Sequence, residues 1–583
     1  MAAFAFGLLA LGVKMKELQV DGVAAYQREN AQQSSRSVRE SGSRGLILDR
    51  CGRVLAGNRS CVSVMCRVDA FRRRGVESTV AAVTAAVARV ARQIGLPCGP
   101  SARAVRRHVL QSPLLPLEVW RDIDEKVVAQ LSERAEEFPG FDLNCGEARV
   151  YPFGSLAAHT LGYVGLARET DSSADFAERE PRGREGLERY YDSFLRGVAG
   201  ERQVVVDSRG FAVKSRVVRE PRSGPSLRLT LDMEIQRAVE RELVGERGAC
   251  AVIDPRDGSV LALASAPGYD PNSFIPTLSA SLYTRLVQDP AKPLLNRAVA
   301  GQYAPGSTFK PVTALAALRL GVPASTVYDC AGVYECGGMR IRCARRWGHG
   351  SLSLAEALRD SCNVYFCQLA ADIGTNALFA AARDLGLGSR TGLDFPDKSG
   401  IVPGAEWKLR TYGEPWYTGD LLQMSIGQGM LLVTPLQMAL VAGAVGTGRL
   451  VRPHLNADSA PESRQIPFAA DHLDAVRAGM RAVVEKKGTG WRGAEDVGAW
   501  MLGKTGTAEV GAGERRRKNT WFIAYAETCA FNASGEIVRA APTARTRVVA
   551  IAMVVENGLS GGGTTAPKVA AILRRIFGRA SRG

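Results

Sequence analysis

At 583 residues the chain is too long for one compact domain, and 46% apolar with 23% charged residues excludes a disordered or fibrous protein. A net charge of +16 points to an anionic surface or partner, but the arginines are scattered without interleaved aromatics, which excludes a nucleic-acid-binding stripe. Twelve cysteines would suggest disulfides in an oxidising compartment, yet Cys330, Cys336, Cys343, Cys362 and Cys367 crowd into one region, a distribution with another purpose.

Residues 1–13 are apolar and uncharged until Lys14, fewer than the roughly 20 that a spanning helix needs. They read as the outer part of a membrane anchor, with residues 1–20 forming this anchor and the start of a stalk; the alternative is a signal sequence. Either places the bulk of the chain outside the cytoplasm. The polar stretch 19–43 reads as a linker. Residues 44–56 are strand-like, with Cys51-Gly52 placed to turn a hairpin. Helical patterns fill 77–136, a mixed loop and strand signal occupies 154–165, and Gly186-Leu187-Glu188 leads toward a strand at 203–207. Nothing in residues 21–225 pairs a nucleophile with a base, so this half is assigned to positioning and partner contacts.

From residue 226 the pattern sharpens. A strand at 227–230 and a helix at 232–244 precede two strands, 249–254 and 260–264, joined through Asp257-Gly258 as a hairpin. Three further strands follow at 500–509, 520–526 and 547–556, then an amphipathic helix at 566–577, and the stretch between the two strand groups is mostly helical. This order predicts an α+β multidomain protein. Residues 21–225 form a mixed pedestal, and residues 226–583 form a five-stranded antiparallel sheet with terminal helices on one face and an inserted helical subdomain on the other.

The chemistry is expected at Ser307. Pro305 and Gly306 break the chain, and Ser307 opens a run with helical apolar spacing, which makes it the first residue of a helix. Unpaired N–H groups and the helix dipole favour an alkoxide there. Lys310 lies one turn on and can serve as base if burial keeps its amine partly neutral. Alone, Ser-x-x-Lys also describes a capping serine beside a solvated lysine. Two more stretches add to it. Ser361-Cys362-Asn363 falls in a tight loop between helical runs, where Ser361 and Asn363 can share a side while Cys362 faces away. Ser361 can relay a proton and Asn363 can orient a carbonyl. Lys504-Thr505-Gly506-Thr507 lies on an edge strand, where Lys504 and the two threonine hydroxyls can grip a carboxylate and Gly506 leaves room for a substrate backbone.

Cys330, Cys343, His349 and Cys362, separated by twelve, five and twelve residues, carry the donor set of a closed tetrahedral zinc site; a Cys330 to Cys336 disulfide or plain buried thiols are the alternatives. Such a metal would pin the loop bearing Ser361 and Asn363 and stand outside the chemistry. Glu356 and Asp360 read as a solvated helix face, Arg515-Arg516-Arg517-Lys518 as an exposed loop, and Trp521 as core.

Ser-x-x-Lys, Ser-x-Asn and Lys-Thr-Gly-Thr in this order resemble the penicillin-binding protein and serine β-lactamase superfamily. Arg44-Gly45, Asp49-Arg50, Gly186-Leu187-Glu188 and Asp270-Pro271-Asn272 are similar to the pedestal and linker landmarks of class B penicillin-binding proteins, with Cys51 where that pattern usually has Asn. Trp347-Gly348-His349-Gly350, the stretch from Pro415 to Asp420, and Ile426-Gly427-Gln428-Gly429 resemble the elongation type. The resemblance implies a serine-type peptidoglycan D,D-transpeptidase, of the carboxypeptidase class, that cross-links stem peptides of the lateral wall and is acylated by β-lactams. It implies a single N-terminal anchor in the bacterial inner membrane with the catalytic domain in the periplasm. It also implies two partners: a glycosyltransferase of the shape, elongation, division and sporulation family, and a scaffold of the rod complex. No catalytic cofactor is expected. Elongation-type members carry a metal near this Gly-His-Gly loop, some with acidic residues in place of cysteines, which keeps Asp329, and also Cys336, as alternatives to a proposed ligand. A D,D-carboxypeptidase and a non-catalytic, β-lactam-sensing scaffold are the competing functions.

Overall fold

The computed structural model describes residues 2–17, 35–111, 115–166, 181–206, 212–275, 278–336, 338–511, 517–532, 537–541, 543 and 546–579. The helix Ala2–Lys16 exposes Phe4, Phe6, Leu8, Leu9 and Leu11 to solvent. Among the described residues no helix is long and apolar enough to cross a membrane.

Among the described residues the N-terminal half holds two larger sheets and a short antiparallel pair, Val164–Leu166 with Pro181–Gly183. Ser35–Glu40, within the stretch expected to be a linker, is a strand paired antiparallel with Gly200–Val206, which pairs in turn with Ala212–Arg219. Its polar residues hide the strand from any local pattern, because the partner lies far away in sequence. In the second sheet Val54–Cys66 pairs with Ile47–Leu48, Leu117–Trp120 and Phe141–Val150. The expected hairpin turns at Cys51-Gly52, where Gly52 takes a left-handed φ of 83°. The helical stretch resolves into Val76–Ile94, Ala102–Gln111 and Glu125–Glu133, with the strand Leu117–Trp120 interposed where continuous helix was expected. Val80, Val83, Val87 and Val90 form one stripe of the long helix and pack with Val64, Leu117 and Trp120.

Behind this sheet the family-like landmarks converge. Glu188, fully buried, accepts hydrogen bonds from Arg44 Nε and Arg149 Nε, both at 2.7 Å, while Arg44 also meets Asp192 at 2.8 Å. Leu227–Arg228 runs parallel to Ile47–Leu48, and Asn272 brackets the backbone of Tyr151 with two bonds of 2.9 Å, so the two halves share a seam.

The C-terminal sheet has the strands β1 (Gly248–Ile253), β2 (Val260–Ala266), β3 (Ala499–Val510), β4 (Arg517–Phe531) and β5 (Val548–Glu556), all antiparallel, in the order β2-β1-β5-β4-β3. A short sixth strand, Ile537–Arg539, pairs with the far end of β4 and was not expected. Alternation along β4 sends Phe522, Ala524 and Ala526 to one apolar cluster and Trp521, Ile523 and Tyr525 to the other. Helices Met233–Glu242 and Ala566–Phe577 cover the first face; the helical insertion covers the second, led by the buried helix Pro435–Thr447. Arg517 and Lys518 belong to β4 and not to a loop, while Arg515 and Arg516 lie outside the described residues.

Candidate active site

Ser307 does not open an α-helix directly. It sits in a 3₁₀ turn, Gly306–Phe309, that continues into the α-helix α1 (Lys310–Arg319). Pro311 is the cause: without an amide hydrogen it cannot join the α ladder, so the tighter turn carries the chain up to Lys310. The change helps the expected pairing, because side chains three apart eclipse in a 3₁₀ turn. Every core position of α1 is buried, from Lys310 through Leu318, so Ser307 stands at the solvent end of a fixed rod.

The Ser-x-Asn loop is tighter than expected. Between α2 (Leu354–Arg359) and α3 (Asn363–Asp384) the reversal falls on Ser361, a non-glycine residue held at φ 56°. Such a conformation costs about 1–3 kcal/mol and survives only where the surroundings over-determine it. Here they do: Cys362 N–H donates to Ala357 O at 3.0 Å, and Cys362 Sγ caps α3 by accepting from Tyr365 N–H. The turn directs Ser361 and Asn363 to one side and Cys362 to the other.

On the first side lie two fully buried lysines. Lys310 Nζ donates to Ser361 O at 2.7 Å, to Asn363 Oδ1 at 2.7 Å and to Ser361 Oγ at 3.4 Å. Lys504 Nζ, from the edge strand β3, reaches the same Ser361 Oγ at 3.0 Å and Thr505 O at 3.2 Å. Among the described residues every hydrogen-bond acceptor of these two amines is a neutral oxygen. Burial pulls Lys310 down from the ordinary lysine range to about 8, against the opposing influence of the nearby thiols. Lys504 is pushed well below its usual value, first by burial and then by the charge of Lys310. The Ser-x-x-Lys, Ser-x-Asn and Lys-Thr-Gly elements therefore meet on one hydroxyl.

Gly506 has a different neighbour from the one expected. A β-carbon there would lie 2.8 Å from Pro305 O and 2.9 Å from Thr308 Cγ2, so glycine is required by the catalytic turn packing against β3. Thr507 is half-buried, its Oγ1 accepting from Gly561 N–H at 3.2 Å, and its backbone lies about 3.0 Å from the place a β-carbon on Gly306 would take. Thr505 donates its hydroxyl hydrogen to Thr489 Oγ1 at 3.0 Å. Thr489 is a site neighbour that no local motif announced, while Gln428, from the Ile426-Gly427-Gln428-Gly429 stretch, donates through Nε2 to Thr507 O at 3.4 Å. Gly427 O accepts from Gly306 N–H at 2.8 Å and locks that second loop under the turn.

On the far side of the loop the four expected ligands gather, with donor atoms all within 4.8 Å of one another. Cys343 Sγ lies 3.7 Å from Cys362 Sγ and 3.4 Å from His349 Nδ1, and Cys330 Sγ lies 3.6 Å from the same nitrogen. Asp329 points outward and accepts from Ser351 Oγ at 3.3 Å, and Cys336 sits in the hairpin Val333–Cys336 and Met339–Arg342 apart from the cluster. All twelve cysteines are free thiols, so the Cys330 to Cys336 disulfide is not formed. Glu356 is exposed and caps α2 by accepting from Ser353 N–H at 2.9 Å, Asp360 pairs with Arg359, and Trp521 is core, its indole donating to Ala304 O at 3.0 Å.

Residues 248–533 match the penicillin binding protein transpeptidase domain and residues 39–229 the penicillin-binding protein dimerisation domain. The peptidoglycan D,D-transpeptidase MrdA of Escherichia coli (strain K12) is 32% identical over 607 residues, spanning 99% of this chain and 93% of that one. The chain belongs to the class B penicillin-binding proteins of the PBP2 type. MrdA of Acinetobacter baumannii is 34% identical over 76% of this chain. A Helicobacter pylori PBP2 solved in complex with MreC superposes with a TM-score of 0.77 at 26% identity, covering 93% of this chain and 99% of that chain. A chain from a structure of a peptidoglycan synthase complex covers 99% of this one with a TM-score of 0.72 at 28% identity. The residues matching the dimerisation domain carry the Arg44, Glu188 and Arg149 cluster, and those matching the transpeptidase domain carry the lysine pair.

Proposed function

We propose that this PBP2 is a serine D,D-transpeptidase that cross-links peptidoglycan stem peptides during elongation of the lateral wall. The observation that carries the reading is the shared hydroxyl of Ser361, touched by Lys310 Nζ and Lys504 Nζ one turn from Ser307. Lys310, lowered to about 8 by burial, accepts the Ser307 proton as the oxygen attacks the carbonyl of the penultimate D-Ala. Backbone N–H groups of Ser307 and Thr507 hold the oxyanion, each worth about 3 kcal/mol. The departing D-Ala takes its proton from Lys310 or through Ser361. A side-chain amine of a second stem peptide then attacks the acyl-enzyme, loses a proton and regenerates Ser307. Asn363 orients the donor carbonyl, and Lys504, Thr505 and Thr507 hold the terminal carboxylate. β-Lactams acylate the same serine.

Cys330, Cys343, His349 and Cys362 would hold a zinc ion. Bond lengths of about 2.3 Å to sulfur and 2.0–2.1 Å to nitrogen give tetrahedral edges of about 3.8 and 3.5 Å; three of the six separations here are 3.7, 3.4 and 3.6 Å, and all lie within 4.8 Å. The ion would supply no chemistry to the reaction: its residues fix the backbone on either side of Cys362, where Ser361 and Asn363 begin. The Helicobacter pylori PBP2 solved with MreC and the peptidoglycan synthase complex support docking to a rod-complex scaffold and to a glycosyltransferase. The apolar Ala2–Lys16 segment supports anchoring at the inner membrane, with the remainder periplasmic.

The test is labelling with fluorescent penicillin followed by peptide mapping, together with cross-linking of nascent glycan. Label on Ser307 and cross-linked dimers that vanish in Ser307→Ala are the expected results. Release of D-Ala without dimers would instead assign a carboxypeptidase.

A further inference from the structure

A cavity of about 320 Å³ lies against Gly429 and Met430, in the loop whose Gly427 accepts from Gly306 N–H, and is not used by the mechanism above. Its position is fixed by two strands of evidence. The loop from Gly427 to Met430 has one end bonded to Gly306 N–H and to Thr507 O, and its other end, Gly429 and Met430, in the cavity wall. The hairpin that supplies Met339 to the opposite wall is tied at Arg342 O to Asn363 Nδ2 at 3.0 Å. The space therefore opens within two residues of the loop that supports Ser307.

Its chemistry is unlike that of the chain as a whole. Met339, Tyr412 and Met430 give an apolar wall, and the charged groups of the lining are one cation, Lys408, and two carboxylates, Asp420 and Glu414. Lys408 Nζ is buried and already held, 2.6 Å from Asp420 and 3.5 Å from Glu414, with the Tyr417 ring 4.4 Å away. One carboxylate charge is left over, in a protein of net charge +16. Glu414, 60% exposed at the mouth, is the carboxylate free to turn toward a ligand. At the small end of ordinary ligand pockets, roughly 300–1,000 Å³, the space suits one long side chain.

We propose that this cavity takes the amine-bearing side chain of the donor stem peptide and selects donors by that amine. The inference rests on the transpeptidase reading. Cross-linking requires an acceptor with a free side-chain amine, and donor and acceptor are segments of one polymer, so the donor carries the same group near the bond that is cut. Its methylenes pack on Met339, Tyr412 and Met430, and its ammonium meets Glu414 and the outer edge of Asp420.

The test uses the full chain and two soluble donor pentapeptides, one with the side-chain amine free and one with it acetylated. Fluorescent penicillin counts the competent active sites in each preparation, and D-Ala release is expressed per labelled site with one amine acceptor, common to both donors, in excess. The free-amine donor is expected to have a kcat/KM about fivefold higher, the size of a partly exposed ion pair. That ratio falls to about one in Glu414→Gln and below one in Glu414→Arg, whose added cation repels the ammonium. Equal values for the two donors in the parent protein, or a preference that persists in Glu414→Arg, overturn the cavity assignment. Absence of penicillin labelling overturns the transpeptidase reading instead, so the two failures are separate.

Discussion

Two clusters of buried charge, one in each half of the molecule, are built on opposite rules. In the pedestal a buried carboxylate, Glu188, lies between two guanidinium groups at 2.7 Å each and Asp192 meets Arg44 at 2.8 Å, so two cations face two anions. In the active site two buried ammonium groups converge on Ser361 with only neutral oxygens recorded around them. Opposite charges at hydrogen-bond distance repay the cost of leaving water, and removing one partner is expensive. Like charges without carboxylates cannot both persist, and the protein resolves the conflict by giving up a proton. The first arrangement holds a domain together; in the proposed mechanism the second keeps an amine poised to accept the proton of Ser307.

The largest effect that separates the two clusters is expected at Lys310. Lys310→Met should slow acylation by fluorescent penicillin by about 10³-fold, within the range for loss of a positioned base. Stability should hold or rise, because an uncompensated buried charge has been replaced by an apolar side chain. A variant that acylates at near the parental rate would remove Lys310 from the chemistry. The reciprocal change is Glu188→Ala, which strands Arg44 and Arg149 and should cost about 3–5 kcal/mol. Hydrogen exchange in Phe141–Val150 reads that loss. Acylation per labelled molecule should stay at the parental value, and a drop to the Lys310→Met level would mean that the pedestal acts on the chemistry directly.

Much of the active-site cluster was legible because its parts are local. Ser307 and Lys310 are one turn apart, and the Ser361 loop is bounded by helices whose apolar spacing shows on its own. The sheet was legible through Ala249 to Ile253 and Trp521 to Ala526, which are apolar on both faces because helices cover both. What escaped needs partners distant in the chain. Ser35–Glu40 is polar and becomes a strand only by pairing with Gly200–Val206. Ile537–Arg539 depends on the far end of β4, and Thr489 reaches the Lys-Thr-Gly strand from a separate loop. The reason for Gly506 was also hidden, since nothing in the motif says that Pro305 and Thr308 fill the space beside it.

The metal cluster sharpens the contrast, because it shares a turn with the lysines but faces away from them. Cys343→Ser, or exhaustive chelation, should take metal content from one equivalent to none and lower acylation by about 10- to 100-fold, the usual weight of groups that orient an active residue. Normal acylation by a protein shown to be metal-free would detach the cluster from the Ser361 turn. The pH profile is the next smaller test. Lys310 must be neutral to accept a proton, and its value is lowered to about 8, so its neutral fraction grows as pH rises through that point. Acylation should increase about tenfold between pH 7 and 9 with a midpoint near 8. A midpoint above 10 would mean that burial had not shifted the amine.

The smallest effect is expected where the pedestal departs from its family's pattern. Cys51 stands where Asn is usual, in the turn that follows Asp49. Asp49 Oδ1 accepts from the backbone N–H of Cys51 and of Arg53 at 2.8 Å each, and Gly52 supplies the left-handed φ. The side chain of Cys51 is exposed, so the turn is held by atoms that Asn would leave in place. Cys51→Asn should therefore shift stability by less than about 0.5 kcal/mol. A larger change would place the information of that motif in the side chain at position 51, and the pedestal would then depend on a contact that the Asp49 turn does not contain.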